Sequence, residues 1–284
     1  MNHLFPALGS ALGWGSADFL GGLQSRRLPV LSVALWSQAA GGLSLLLLLI
    51  VIGEPRALAS VPWGLTAGLC VGVGILFLYR GLAIGVMGVV GPVSACGSIV
   101  PVLVGAALGE IPSLLGTIGI VAALGGIVLV SLQPGAIAGS AAAVSARTAL
   151  GLALGAALGI GLFYVFVDRG IAVEGGSALW TAAAARLSSM ATLVAIALVG
   201  RRPAPWPGGR IVFVAAAGVL DGAANILFAL AAVEGEMGIT SVVASLYPIV
   251  TLTLGAIFLA ERLTRLQASG VTLALLGIAL LAAG

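Results

Sequence analysis

The chain contains no lysine, and its one histidine, His3, stands at the N-terminus. Without lysine there is no glycine-rich phosphate loop of the Gly-Lys-Ser/Thr kind, so the chain itself is not an ATP pump of that design. A lone terminal histidine, with no HExxH motif and no Cys/His cluster, leaves zinc and histidine-dependent catalysis without support. The two cysteines, Cys70 and Cys96, lie in apolar stretches and read as packing residues rather than a disulfide or a metal site. Charge is scarce as well. Only 7% of the 284 residues are charged, whereas a soluble domain carries roughly a quarter. Too little polar surface exists to face water. The N-terminus also lacks a basic region and a small-residue cleavage site, so the first apolar run reads as a retained helix.

What is present points into the bilayer. Hydrophobic residues make up 61% of the chain, mean hydropathy is +1.24, and the 43 glycines lie inside apolar runs. Glycine in such runs lets membrane helices approach closely. A spanning helix needs about 20 mostly apolar residues. Breaks at charges, prolines and glycine clusters predict ten spans: 4–22, 30–52, 62–84, 88–108, 113–132, 149–167, 177–199, 210–233, 238–259 and 265–283. The expected fold is an all-α integral membrane protein.

The second half echoes the first. Gly109-Glu110 followed by Gly119 matches Ala260-Glu261 followed by Gly270. Ile75-Leu76-Phe77 matches Ile226-Leu227-Phe228, Met87-Gly88 matches Met237-Gly238, and Ala34-Leu35-Trp36 matches Ala178-Leu179-Trp180. The expected organisation is a first five-helix repeat over 1–132, a linker of polar and small residues over 133–147, and a second five-helix repeat over 148–284. Five spans per half is an odd number, so the second repeat inserts inverted, the usual device of a secondary transporter. Gly9-x-x-x-Gly13 and Gly151-x-x-x-Gly155-x-x-x-Gly159, in the first helix of each half, read as close packing faces.

Trp14-Gly15, the Gly109-Glu110 step, and Tyr247-Pro248 through Glu261 to Gly270 resemble the drug/metabolite transporter superfamily in its EamA-type branch. The resemblance covers essentially the whole chain. It implies a ten-helix transporter with a central cavity between two halves, for export or uptake of small organic metabolites or drugs. From the motifs that are missing, neither an enzyme activity nor a cofactor is expected. Members of the family often carry an arginine in the second helix of each half. Arg186 fits that pattern, whereas the first half offers only Gln38 or Gly42, so a paired-arginine site is not expected.

The 12 basic residues are all arginine and sit mostly between apolar runs, which reads as membrane topology and not nucleic-acid binding. Arg56 and Arg169 fall on the N-terminal side of the membrane. Nine others (Arg26, Arg27, Arg80, Arg147, Arg201, Arg202, Arg210, Arg262 and Arg265) fall opposite. Because arginine bias sets orientation, both termini are expected outside, although superfamily members more often place the N-terminus inside. The expected setting is the plasma membrane, as a monomer or homodimer. Its partners are the lipid bilayer, a small-molecule substrate and a proton as coupling ion.

Ionisable residues within a span are costly and mark function by default. Arg186 lies in the seventh span, and Asp221 lies in the eighth with Asn225 on the same face. Their depths agree within about one helical turn, so a buried Arg186–Asp221 pair is expected. It either locks the second half together or meets substrate in the cavity. Asp18 is expected toward the far end of the first span, near Arg26 and Arg27. It is either a wetted interfacial residue or a proton-coupling carboxylate resembling the first-helix carboxylate of the small multidrug exporters. Trp14, one turn earlier, is placed to stack on a flat or cationic substrate or to pack. Tyr247-Pro248 should kink the ninth span and bare carbonyls to a cavity. The rival classes are an intramembrane enzyme, a channel and a non-transporting membrane scaffold. An aspartyl enzyme needs converging carboxylates, and Asp18 and Asp221 are expected at different depths. A channel needs a repeated polar lining that these helices lack. A secondary active exporter working by alternating access fits best.

Overall fold

In lipid every backbone polar group must be satisfied within the protein, and helices do this within each segment. The structure, a computed structural model, describes residues 3–83, 93–131, 140–258 and 264–283, and these contain helices and turns with no strand. Met87, Gly88, residues 133–139 of the expected linker, Ala260, Glu261 and Arg262 lie outside the described residues.

The first half contributes α1 (Leu4–Ser25), α2 (Val30–Ile52), α3 (Val61–Ala83), α4 (Ile99–Ala107, preceded by a 3-10 turn at Cys96–Ser98) and α5 (Leu114–Ser131). The second contributes α6 (Ser140–Ala172), α7 (Ala178–Val199), α8 (Ile211–Glu234), α9 (Met237–Ala244), α10 (Tyr247–Phe258) and α11 (Arg265–Ala283). Six segments among the described residues are long and apolar enough to cross a membrane, with three shorter apolar ones. α1 is in neither group, because serines, glycines and Asp18 dilute its apolar content.

Residues 140–147, the last part of the expected linker, are helical and run on into α6. Their alanine-rich sequence has high helix propensity, which outweighs its weak hydropathy. The span expected over 238–259 is broken into α9 and α10 at Ser245-Leu246 rather than simply kinked. Pro248 then lies in the first turn of α10, where its missing N–H would have no helical partner anyway.

Helices of one half pack on helices of the other at equivalent glycines. A Cβ built on Gly13 of α1 would fall 2.8 Å from Ala224 and 3.1 Å from the Leu220 carbonyl of α8. One on Gly159 of α6 would meet the Cys70 carbonyl at 2.7 Å and Gly74 at 2.9 Å, both on α3. Gly9 abuts Leu227 and Gly155 abuts Phe77 in the same way, whereas Gly151 faces open space and takes no part. On the neighbouring helices, Gly218 of α8 lies against the Ser37 carbonyl of α2, and Gly68 of α3 lies against the Ala185 carbonyl of α7. α5 and α11 form a further antiparallel pair, with Gly119 on Gly277 and Gly126 on Gly270. α1, α2, α8 and α10 therefore make one body, and α3, α4, α6 and α7 make another.

Candidate functional site

A cavity with about 80 Å³ of room for the centres of water molecules lies between these two bodies. A single water needs roughly 10–15 Å³ by that measure, so the space suits a compact ligand with its solvent. All seven residues singled out from the sequence (Trp14, Asp18, Gln38, Arg186, Asp221, Asn225 and Tyr247) line it.

Arg186 comes from the middle of α7. Its Nη1 donates to Asp221 Oδ2 at 2.5 Å and also to Gln38 Oε1 on α2. Glycine makes room for it: a Cβ on Gly42 would lie 3.2 Å from Arg186 Cγ, and one on Gly41 would lie 3.4 Å from Cζ. The guanidinium is almost fully buried, whereas the Asp221 side chain keeps 23% of its exposure, so the carboxylate is the partner that cavity water reaches. One turn along α8, the Asn225 amide donates to the Asp221 carbonyl at 2.7 Å and braces the helix at that level.

Asp18 is placed differently from expectation. It lines the same cavity as Asp221, not a separate interfacial site. The reason is the antiparallel register of α1 on α8. Gly9 faces Leu227 and Gly13 faces Leu220, so a further turn along α1 brings residue 18 level with Ala217, one turn from Asp221. Depth counted along each span as if perpendicular to the membrane misses this convergence. Trp14 lies one turn earlier, its ring 5.7 Å from Phe228 and 5.8 Å from Tyr164, in an aromatic cluster that includes Phe163. The Tyr247 hydroxyl, at the start of α10, lies 3.4 Å from Ser94 Oγ of the first half.

Sequence reasoning missed Tyr164 and Ser189, which line the cavity from α6 and α7. The Tyr164 hydroxyl pairs with Ser245 Oγ at 3.2 Å, which ties α6 to the break before α10. A tyrosine in mid-span was a usable signal. Ser189 was readable only as the residue one turn beyond Arg186 on the same face. Among the described residues no group of three or more His, Cys, Asp or Glu is placed to hold a metal ion.

Two copies of one sequence pattern run through the chain. The EamA-like transporter family matches residues 2–132 and again 147–283. The chain belongs to the EamA-like transporter family. It is a multi-pass membrane protein, and membership of that family supports a transporter of small molecules. A solved crystal structure is similar over 98% of this chain and 96% of its own, with 18% sequence identity and a TM-score of 0.79. That likeness speaks to the fold alone. No curated protein matches the sequence significantly.

The contacts also correct the register of the EamA repeat. Gly13 meets Leu220 and Ala224 where Gly159 meets Cys70 and Gly74, and the same shift relates Leu227 to Phe77. Asp221 and Asn225 thus correspond to Val71 and Ile75, one position along from the tripeptide match over Ile75–Phe77. Short apolar matches tolerate such a slip, whereas helix contacts do not. Val71 and Ile75 both line the cavity opposite their polar counterparts.

Proposed function

We propose that this protein is a secondary active exporter of small organic metabolites or drugs, working by alternating access around the cavity between its two halves. The reading carries with it ten spans in two inverted five-helix repeats, over 1–132 and 148–284 with a junction at 133–147. It places the protein in the plasma membrane with both termini outside, and makes the proton the coupling ion. The observation that carries it is the cavity itself, lined from both halves and holding Asp18, Arg186 and Asp221 together. Antiparallel exchange of Gly119 with Gly277 and Gly126 with Gly270 supports inversion, since a two-fold axis in the membrane plane produces that pattern. Six long apolar segments, three shorter ones and α1 together match the number of spans this reading calls for.

Asp18 is assigned the coupling role because it is the cavity carboxyl for which no pairing with Arg186 is seen; Asp221 is committed to that arginine. The same commitment argues against an aspartyl hydrolase, although the two carboxylates do share one cavity. Growth of an expressing strain across a panel of toxic metabolites and drugs tests direction and substrate together. Resistance is expected, and hypersensitivity would overturn export. In proteoliposomes loaded with a compound from that panel, Asp18→Asn should abolish flux driven by a pH gradient while leaving exchange intact. Undiminished pH-driven flux removes Asp18 from the coupling role.

A further inference from the structure

Arg186 is 5% exposed and Ser189 1% exposed, yet Arg186 Nη2 and Ser189 Oγ have no hydrogen-bond partner among the described residues. Unmet buried donors cost stability, and the large majority in native proteins are satisfied by protein or by bound molecules. These two stand one turn apart on the cavity face of α7 and line the same space. Nη1 is already occupied by Asp221 and Gln38. The guanidinium therefore keeps its charge balanced through one nitrogen, while the other is buried beside the cavity without a partner, and a small shift of the side chain would bring it to a molecule bound there. Arginine has no acceptor, and a serine hydroxyl beside it donates readily, so the pair asks for an acceptor on the ligand.

We propose that Arg186 Nη2 and Ser189 Oγ form an acceptor subsite that binds an sp² oxygen of the transported molecule, the oxygen of a carboxylate or of an amide or ketone carbonyl. This deepens the transporter reading and rests on it. Planar oxygens suit the guanidinium fork, whose N–H groups lie in one plane. The rest of the ligand would face the apolar wall formed by Val71, Ile75 and Ile160, and the Trp14 ring.

The test uses three compounds on one frame: phenylacetate, phenylacetamide and phenethylamine, which lacks a carbonyl. Binding is measured calorimetrically to the purified full chain in lipid nanodiscs. At least one carbonyl compound should bind more weakly to Ser189→Ala by about threefold to tenfold, the loss of one hydrogen bond. Arg186→Lys, which keeps the charge for Asp221 but removes the second nitrogen, should weaken the same compound at least as much. Phenethylamine should be unaffected by Ser189→Ala, which also shows that this variant keeps its fold. The relative loss for carboxylate and amide tells which oxygen the site prefers. If Ser189→Ala leaves both carbonyl compounds unchanged, or weakens all three alike, the subsite is wrong. Should phenethylamine alone bind the wild type, the subsite again fails while the cavity survives as a binding site. If none of the three binds, the cavity reading falls with it.

Discussion

Replacing Asp221 by leucine strands the Arg186 guanidinium in a site where its side chain is 4% exposed, whereas replacing Arg186 strands a carboxylate that is 23% exposed. The two substitutions should therefore differ in cost. Removing one partner of a buried pair destabilises by about 3–5 kcal/mol, and Asp221→Leu belongs in that range, since only Gln38 would remain to Nη1. Arg186→Leu should cost less, about 2–3 kcal/mol, because water in the cavity can hydrate the orphaned carboxylate. The double variant removes both charges and fills the space with apolar volume, so it should recover to within about 1 kcal/mol of wild type. Thermal unfolding of the four proteins in one detergent closes the cycle, with an expected coupling of about 4 kcal/mol or more. Additive single effects would refute the pair as an energetic unit. Flux through the folded double variant then separates the two roles open to the pair. Loss of transport with recovered stability places it in substrate handling. Wild-type transport by the double variant would refute that role and leave the pair as architecture.

The packing glycines give a contrast on one assay. Gly218→Ala pushes a methyl into the Ser37 carbonyl on α2 and should destabilise by about 1–3 kcal/mol, whereas Gly151→Ala points into open space and should be neutral or stabilise by a few tenths of a kcal/mol. Equal melting temperatures for the two would refute the α2–α8 contact. Ser177 caps α7 by accepting from the Trp180 N–H at 3.1 Å and donates to Glu54 Oε1 at 2.5 Å. Ser177→Ala should then cost about 1–2 kcal/mol, with Ser177→Thr recovering most of it; an alanine variant that melts like wild type removes the cap.

Legibility from sequence followed the size of the physical penalty. α2 was readable to the residue because Pro29 and Gly53 bracket it, with Gly53 taking a left-handed conformation (φ 65°) to end the helix. Arg186 and Asp221 were readable because charge in a span is costly enough to demand a partner, and helical rise set both at one depth. The convergence of Asp18 was not readable, since it depends on how α1 leans on α8, and no residue type announces that register. Tyr164 and Ser189 were missed for a different reason. Uncharged polar residues cost little in a span and look the same whether they pack or bind.

Polar residues reach the cavity from both repeats, Asp18, Ser37 and Gln38 from the first and a larger set from the second, and the packing decides how they combine. Because α1 and α2 pack on α8 while α3 and α6 pack together, each body mixes helices of both halves. Asp18 and Gln38 from the first half therefore join Asp221 and Asn225 from the second on one wall, while Val71, Ile75, Ile160 and Phe163 make the opposite wall apolar. That second wall carries two hydroxyls, Ser189 and Tyr164, and Tyr164 is engaged by Ser245. Arg186 is the exception that links the two: it rises from α7, in the apolar body, and reaches Gln38 and Asp221 in the polar one. Any rocking of one body against the other must lengthen or break those bonds. An acceptor oxygen on Nη2 would hold the same guanidinium from the ligand side while Nη1 stays with Asp221, so substrate would bind the group that bridges the two bodies. Substrate occupancy and the opening of the cavity then act on one residue, which is how a repeat with unequal halves can couple binding to movement.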